Sequence, residues 1–167
     1  SEVCENQTLY WRQQNFDPGV REIGEADSVE LFHHCVRRVP HSVFDLRVLA
    51  SHGALRVFKY LISCDSEIGY TLQFMRFPHQ IMEEATASGS LALVDYLMSD
   101  LRIPLLNRGL KRALASKCNE MVVFYLDNRA CVHVDDIQLA VDNKYSDAII
   151  IRLIDKGMAH IRSVHII

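Results

Sequence analysis

The residues best suited to do chemistry are imidazole and thiol groups crowded around position 35. His33, His34, Cys35 and His41 lie close together in the sequence, and nitrogen and sulfur donors of this kind are ligands for zinc. No CxxC or HxxxH pair completes a fixed tetrahedral set with them, and short motifs of this type often occur by chance. We therefore expect no metal site, with Cys35 on the inner side of a helix and the imidazoles facing water.

Nucleophilic catalysis and phosphate binding have no support in the sequence. A serine nucleophile is held on a strained turn such as GxSxG, whereas Ser88-Gly89-Ser90 occupies a position that the repeats described below assign to a helix-to-helix turn. No GxxxxGK[ST] or GxGxxG string occurs, so no loop is available to cradle phosphates. We expect no catalytic residues, no nucleotide chemistry and no cofactor.

The paired charges have structural explanations. Glu83-Glu84 and Asp135-Asp136 each fall at the start of a predicted helix, where negative charge interacts favourably with the helix dipole and caps N–H groups. Arg37-Arg38 and Lys111-Arg112 lack interleaved aromatic residues on which bases could stack. The net charge of −3 gives no general reason to bind nucleic acid or an anionic membrane.

The composition indicates one globular, helical domain. The 167 residues are 49% hydrophobic and 23% charged, which excludes disordered and collagen-like chains. Only 7 glycines and 4 prolines occur, too few for the many tight turns of a β-sandwich. The longest apolar stretch, Met121 to Leu126, is far shorter than a membrane span.

The N-terminus and the cysteines favour an intracellular setting. The first residues are acidic and polar, whereas a secretion signal is basic and then apolar. The five cysteines are odd in number, widely spread and without a CxxC pair, which suits free thiols in a reducing compartment. We expect a cytoplasmic or otherwise intracellular protein.

Internal repetition organises the chain. The stretch 48–61 aligns without gaps with the stretch 84–97. The aligned residues are Gly53 on Gly89, Leu55 on Leu91, Val57-Phe58 on Leu93-Val94, and Tyr60-Leu61 on Tyr96-Leu97. We call the residue aligned with Gly53 the turn position of each copy. The predicted turn positions are Asp27, Gly53, Gly89, Cys118 and Tyr145, at spacings of 26, 36, 29 and 27 residues.

Each copy predicts two helices joined by a short turn. After the turn position, apolar residues recur at i, i+1 and i+4, as in Val57, Phe58 and Leu61, which defines one face of an α-helix. A second apolar pattern precedes the turn position, where glycine relieves the left-handed strain of a helix C-cap. The sequence therefore predicts an all-α fold, a solenoid of four to five antiparallel helix pairs that bury apolar faces for one another.

The predicted organisation has three parts, an N-terminal cap or tail at 1–19, a repeat domain at 20–160 and a C-terminal tail at 161–167. The five copies are approximately 20–40, 44–63, 80–99, 109–128 and 136–157. The second helices are predicted to bury Val57, Phe58, Leu61, Leu93, Val94, Leu97, Val122, Val123, Leu126, Ile149, Ile150 and Leu153.

The repeated core resembles a known family. The stretches 49–61 and 85–97 are similar to the A-A-x-x-G-x-x-x-V-V-x-x-L core of ankyrin repeats, and 115–126 is a looser match. The resemblance covers residues 20–160 and implies β-turn fingers that are each followed by two antiparallel helices. It also implies a protein that binds another protein as an adaptor or inhibitor and is not an enzyme. The irregular copies are similar in style to ankyrin proteins of large DNA viruses, protists and intracellular bacteria, which implies a host-interaction factor.

The resemblance implies a binding face made of the fingers and the exposed side of the first helices. The finger segments are 63–80, 99–108 and 127–136. The implied partner-binding residues are Tyr70, Phe74, Arg76, Arg102, Asn107, Arg108, Asn128, Arg129 and His133. Helix-borne candidates are His52, Glu83, Ser88 and Lys117. Aromatic and arginine side chains commonly dominate interfaces, which favours Tyr70, Phe74 and Arg108.

Some alternatives remain open from the sequence. The segment 63–79 is longer than its equivalents and rich in aromatic residues, so it either packs on itself or forms a contact surface. A small helical enzyme or a metal-binding protein with an unrecognised site is the second functional class. The string Asp135 to Ala140 resembles a segment of histone-fold subunits, and that fold would require a central helix of about eight turns.

Overall fold

The computed structural model describes residues 18–36, 46–63, 76–106, 108–128 and 130–164. Within these ranges the chain forms ten helices and no strand, which confirms the all-α prediction for this part. The helices are α1 (Pro18–Ala26), α2 (Val29–Val36), α3 (Leu46–Ser51), α4 (Leu55–Ser63), α5 (Pro78–Ser88), α6 (Leu91–Ser99), α7 (Gly109–Ala115), α8 (Asn119–Asp127), α9 (Val134–Asp142) and α10 (Asp147–Val164). No helix in the described ranges is long and apolar enough to cross a membrane. The chain divides into two compact units, Ser1–Ala85 and Thr86–Ile167.

In the first unit the helices pack as two successive pairs. Helix α1 contacts α2 and helix α3 contacts α4, while α1 also contacts α3 and α2 also contacts α4. First helices therefore pack on first helices, and second helices on second helices. Ile23, Phe32, Leu49 and Phe58 are fully buried in this core, and burial of each such side chain contributes about 1.5 to 3 kcal/mol.

The second unit repeats this alternation. Helix α7 contacts α8 and α9, and α9 contacts α10. The second helices are in contact from α6 to α8 and from α8 to α10. The buried hydroxyls of Thr86 and Tyr125 lie 2.7 Å apart, so these polar groups satisfy each other inside the unit.

The turn of the first pair caps the second helix of the next pair. The two carboxylate oxygens of Asp27 accept hydrogen bonds from the backbone N–H groups of Arg56 (3.1 Å) and Val57 (3.0 Å). These N–H groups lie in the first turn of α4, where the helix itself supplies no acceptor. Asp27 also adopts a left-handed backbone with φ of 45°, so one residue forms the turn of its own pair and satisfies two donors of the next.

The turns of the remaining pairs have the same left-handed backbone. The turn residues and their φ angles are Asp27 (45°), Gly53 (67°), Gly89 (76°), Lys117 (57°) and Lys144 (59°). Their spacings are 26, 36, 28 and 27 residues. The first three turn positions are those predicted from the sequence, and the interpretation of Ser88-Gly89-Ser90 as a turn between α5 and α6 is confirmed.

The predicted turn positions Cys118 and Tyr145 are wrong by one residue. Lys117 and Lys144 occupy the left-handed position, and their N–H groups donate to the carbonyls of Leu114 (3.3 Å) and Val141 (3.0 Å) to close the preceding helix. Cys118 has the extended backbone of an N-cap residue, with φ of −96°. A lysine in this conformation gives no compositional signal, so the turn could not be distinguished from its neighbour by residue type.

The shift by one residue changes which side chains are buried in α8. Of the predicted core positions, Val122 and Leu126 are fully buried, whereas Val123 is only half-buried. Met121 and Tyr125 are fully buried in addition. When counted from Lys117, the buried residues Met121, Val122 and Tyr125 match the spacing of Val57, Phe58 and Leu61 from Gly53.

In the other second helices the predicted core is largely present. The predicted side chains that are buried are Val57, Phe58, Leu61, Leu93, Val94, Leu97, Ile149 and Leu153. Ile150 is the exception and is half-buried.

Of the two predicted acidic helix starts, one is confirmed and one is wrong. Helix α5 begins at Pro78, so Glu83 and Glu84 lie in its second turn. Proline is favourable at the first helical position, since its fixed φ suits the helix and its missing N–H is not needed there. Helix α9 begins at Val134 and has Asp135 and Asp136 in its first turn, as predicted.

Exchanging lysine for glycine tests the position of the fourth turn. Lys117→Gly is expected to raise the unfolding free energy by about 1 kcal/mol, because the left-handed backbone costs a residue with a Cβ roughly this amount. Cys118→Gly is the matched control and is expected to lower stability, because glycine adds unfolded-state entropy at an extended position. Urea denaturation followed by circular dichroism measures both. Stabilisation by Cys118→Gly alone would instead support the turn position predicted from sequence.

Candidate partner-binding surface

The described residues between α6 and α7, 100–106 and 108, and those between α8 and α9, 128 and 130–133, lie at one end of the second unit. At the opposite end, the Sγ of Cys118, which precedes α8, lies 3.9 Å from the carbonyl of Gly89, which precedes α6. The starts of α6 and α8 therefore adjoin, and because these helices also pack on each other they run in the same direction. Their C-terminal loops consequently emerge at the same end, and we call them the paired loops.

The first of the paired loops is held by one buried aliphatic residue. Ile103 is buried, and its N–H donates to the carbonyl of Leu97 at 3.0 Å. Arg102 precedes it in the left-handed conformation, with φ of 55°, and its side chain is exposed. Arg108 is exposed immediately before α7. The loop thus places two guanidinium groups on the surface around a buried isoleucine.

The second loop also contains a buried aliphatic residue. Val132 is buried, and the N–H of Ala130 donates to the carbonyl of Tyr125 at 3.1 Å. Asn128 is exposed, but its side-chain amide donates to the carbonyl of Phe124 at 2.8 Å. Because the amide caps the end of its own helix, this donor of Asn128 is already used within the chain.

His133 presents its side chain at the start of α9. Its backbone N–H donates to the carboxylate of Asp136 at 2.9 Å, and Asp136 is buried. This hydrogen bond fixes the backbone at the beginning of the helix, while the imidazole remains exposed. In the described part of the paired loops, the predicted residues with exposed side chains are Arg102, Arg108, Asn128 and His133.

Two contacts join the end of α8 to α10 beside the paired loops. The carboxylate of Asp127, at the end of α8, pairs with the guanidinium of Arg152 at 2.6 Å. The side-chain ammonium of Lys156 donates to the carbonyl of Leu126 in the same last turn. Asp127 and the end of α8 are therefore both held against α10.

In the first unit, Arg76 is held against its own chain. Its guanidinium carbon lies 5.3 Å from the ring centroid of Phe77, and that of Arg47 lies 4.7 Å from the same ring. Arg47 also donates to the side-chain oxygen of Gln80 at 2.9 Å. In the described part of the aromatic segment 63–79, the ring of Phe77 is therefore close to two guanidinium groups.

Several predicted residues have no described geometry. Tyr70, Phe74, Asn107 and Arg129 lie outside the described residues. Of the histidine and cysteine cluster, only His33 has a described side chain, and its ring contacts that of Tyr60 with centroids 4.9 Å apart.

Among the helix-borne candidates, two have structural roles. His52 packs on Gly24, where an added Cβ would lie 3.0 Å from the imidazole Cδ2. Lys117 forms the fourth turn. Glu83 and Ser88 are half-buried in α5. Of the four helix-borne candidates, Lys117 is exposed and the other three are half-buried.

The buried polar groups of the second unit hold its pairs together. The hydroxyl of Tyr145 and the amide of Asn143 donate to the carbonyl of Leu114 at 2.8 and 3.2 Å. Burial raises the pKa of the Tyr145 hydroxyl, and the nearby Cys118 thiol raises it further, so Tyr145 remains a donor at neutral pH. No group of three or more His, Cys, Asp and Glu side chains that could hold a metal ion occurs among the described residues.

The histone-fold alternative does not match the helix lengths. The string Asp135 to Ala140 lies within α9, which has 9 residues. The longest helix in the described ranges, α10, has 18 residues, which corresponds to about five turns.

One surface feature was not identified from the sequence. The exposed large hydrophobic residues in the described ranges all lie on the last two helices. They are Val134 (76% exposed), Val141 (50%), Ile151 (56%), Ile154 (41%) and Met158 (47%). The available signal was that α10 has apolar residues on two sides, since Ile151, Ile154 and Met158 follow helical spacing as well as the buried Ile149 and Leu153.

Comparisons of the chain with protein-family models, with curated proteins and with solved structures find no significant match.

Proposed function

We propose that this chain is a non-enzymatic scaffold that binds another protein, as an adaptor or inhibitor, through an ankyrin-like stack of helix pairs. The observation that carries the proposal is the recurrence of one unit, with left-handed turn residues at five positions and helices that pack first on first and second on second within each compact unit. Repeat stacks of this kind commonly bind proteins through extended surfaces rather than through a deep pocket.

The paired loops are the proposed partner-binding surface of the second unit. Each has a buried aliphatic residue, Ile103 or Val132, that holds the loop against the helices. A loop fixed in this way loses little conformational entropy when a partner binds. Arg102, Arg108 and His133 are exposed around these buried residues, and arginine is enriched among residues that contribute most to interfaces. The proposed partner therefore presents acidic or hydrogen-bond-accepting groups to the loops.

Charge reversal on the paired loops tests this proposal. Partners of the immobilised chain are identified by mass spectrometry, and the affinity of the purified partner is then measured by calorimetry. Arg102→Glu with Arg108→Glu is expected to weaken binding by at least about tenfold, because one lost charge-assisted contact is worth about 1.5 to 3 kcal/mol.

The matched control places the same charge change at the other end of the helices. Lys117→Glu with Lys144→Glu reverses two exposed charges in the turns of the same unit. Affinity is expected to stay within about twofold of that of the unmodified chain, because the screening length of about 8 Å in physiological salt limits the reach of these charges. Equal losses in both double variants would show that net charge, and not the paired loops, determines binding.

A further inference from the structure

The last helix pair has an apolar face that points away from the preceding pair. On α10, Arg152 and Lys156 contact Asp127 and Leu126 of α8. Ile154 lies two residues from each of them, which is about 200° around the helix. Its exposed side chain is therefore nearly opposite the side of α10 that packs on α8.

Helix α9 has the same orientation with respect to α7. Asn143, at the end of α9, donates to the carbonyl of Leu114 in α7. Val141 and Val134 lie two and nine residues before Asn143, and both positions are about 180 to 200° around the helix from it. The exposed valines of α9 and the exposed Ile151, Ile154 and Met158 of α10 consequently share the outer side of the pair. We call these five residues the end face.

Four carboxylates are exposed on the same two helices as the end face. Asp135 and Asp142 are exposed next to the two valines of α9, and Asp147 and Asp155 are exposed on α10. Asp147 lies four residues before Ile151 and Asp155 four residues after it, which places each within one helical turn of the apolar stripe.

Among the side chains that the structure describes on these two helices, the exposed basic groups do not balance the carboxylates. Arg152 is paired with Asp127 on the α8 side, and Lys144 lies in the turn between α9 and α10. A second copy of the chain related by a two-fold axis would bring four carboxylates against four, which is electrostatically unfavourable. The rim instead complements a cationic partner.

We propose that the end face binds a basic amphipathic helix of a partner protein. The apolar side of such a helix would cover the valines, isoleucines and Met158, and its lysines or arginines would meet the acidic rim. A flexible methionine adapts to different apolar partners, and an amphipathic helix lying in an apolar groove is an established mode of recognition. This inference rests on the proposed function only in that the chain acts by binding proteins, because it uses a surface separate from the paired loops.

A pair of synthetic peptides tests the proposal on the full chain. Both are fluorescein-labelled amphipathic helices of about 15 residues, a length near the minimum for a stable isolated helix, with leucines on one face. One has lysines on the other face, and its companion has glutamates. Fluorescence anisotropy is expected to show binding of the lysine peptide at least about tenfold tighter than that of the glutamate peptide. Equal affinity for the two, or no binding of the lysine peptide, would overturn the proposal.

Variants of the chain locate the binding surface. Ile151→Asp with Met158→Asp is expected to weaken binding of the lysine peptide by at least about tenfold. Asp142→Lys with Asp155→Lys is expected to reverse the preference between the two peptides. Asp95→Lys, at an exposed position of α6, is the control for charge alone and is expected to leave the preference unchanged. Two results would contradict the end face as the binding site. One is a reversed peptide preference in the Asp95→Lys control, and the other is unchanged binding of the lysine peptide to the Ile151 and Met158 variant.

Two further measurements distinguish other occupants of the end face. Sedimentation velocity that shows a dimer abolished by Ile151→Asp would identify a second copy as the occupant and overturn the proposal. A large loss of folding stability in Ile151→Asp would show that another segment of the chain covers the face, with the same consequence.

Loss of peptide binding by Arg102→Glu with Arg108→Glu would place the peptide on the paired loops instead. If the Arg102 and Arg108 variant still binds both the lysine peptide and the partner protein, the paired loops are not the partner-binding surface. The end face would then remain the peptide site.

Discussion

Replacing Gly109 by alanine is expected to lower the unfolding free energy of the second unit by about 1 to 3 kcal/mol, the usual cost of overpacking a core. Gly109 is buried at the start of α7, and a Cβ added there would lie 2.7 Å from Cζ of Tyr125 and closer still to two other atoms of the same side chain. Tyr125 cannot easily move away, because it is fully buried and its hydroxyl is paired with that of Thr86. Urea denaturation followed by circular dichroism measures the loss.

A second substitution identifies the cause. Tyr125→Leu removes the atoms that meet the new Cβ, so the double variant Gly109→Ala, Tyr125→Leu is expected to be less destabilised than the sum of the two single variants. Lys111→Ala, at an exposed position of the same helix, is expected to change stability by less than about 0.5 kcal/mol. Additive losses in the double variant would mean that contact with Tyr125 is not the reason for the glycine.

Truncating Leu97 to alanine is expected to cost about 2 to 5 kcal/mol, the range for a large aliphatic side chain removed from a packed interior. Leu97 is fully buried in α6, at a position that the repeat aligns with the equally buried Leu61. The loss combines the free energy of burial with the cavity left behind. Chemical denaturation monitored by circular dichroism gives the unfolding free energy.

The neighbouring residue supplies the control for Leu97. Met98 is half-buried on the same helix, so Met98→Ala is expected to cost clearly less than Leu97→Ala. A comparable loss in the two variants would indicate that the outer side of α6 is also covered, and that the assignment of its buried face from the repeat is incomplete.

Helix pairs and their buried faces were predictable from the sequence because both depend on local periodicity. Val57, Phe58 and Leu61 recur with the spacing of one helical face, and Gly53 and Gly89 mark turns that require a left-handed backbone. Only glycine adopts that backbone without a steric cost. Where such residues are present, residue type alone identifies the position of the turn.

The later turns depended on packing that residue type does not reveal. Lys117 and Lys144 accept a left-handed backbone because the helices on either side are already fixed by their buried residues. Among Met121, Val122 and Val123, hydrophobicity alone does not select which two face the core. The contacts of α8 with α7 and α10 make that choice, and they bury the first two.

The candidate binding surfaces were also predictable from the sequence only in part. The sequence placed Arg102, Arg108 and His133 in loops, because the helical periodicity ends before them. Only the structure showed that Ile103 and Val132 are buried within these loops and that the loops emerge at one end.

The exposure of the end face depends most clearly on tertiary structure. Helix α10 is apolar on two sides, and periodicity cannot tell which side meets the rest of the unit. Contacts of Arg152 and Lys156 with the last turn of α8 fix the rotation of α10, and that rotation leaves Ile151, Ile154 and Met158 in water. When a helix has two apolar sides, the helix that packs against it determines which side is buried. Burial depends on the position of that neighbour as well as on the hydrophobicity of the side chain.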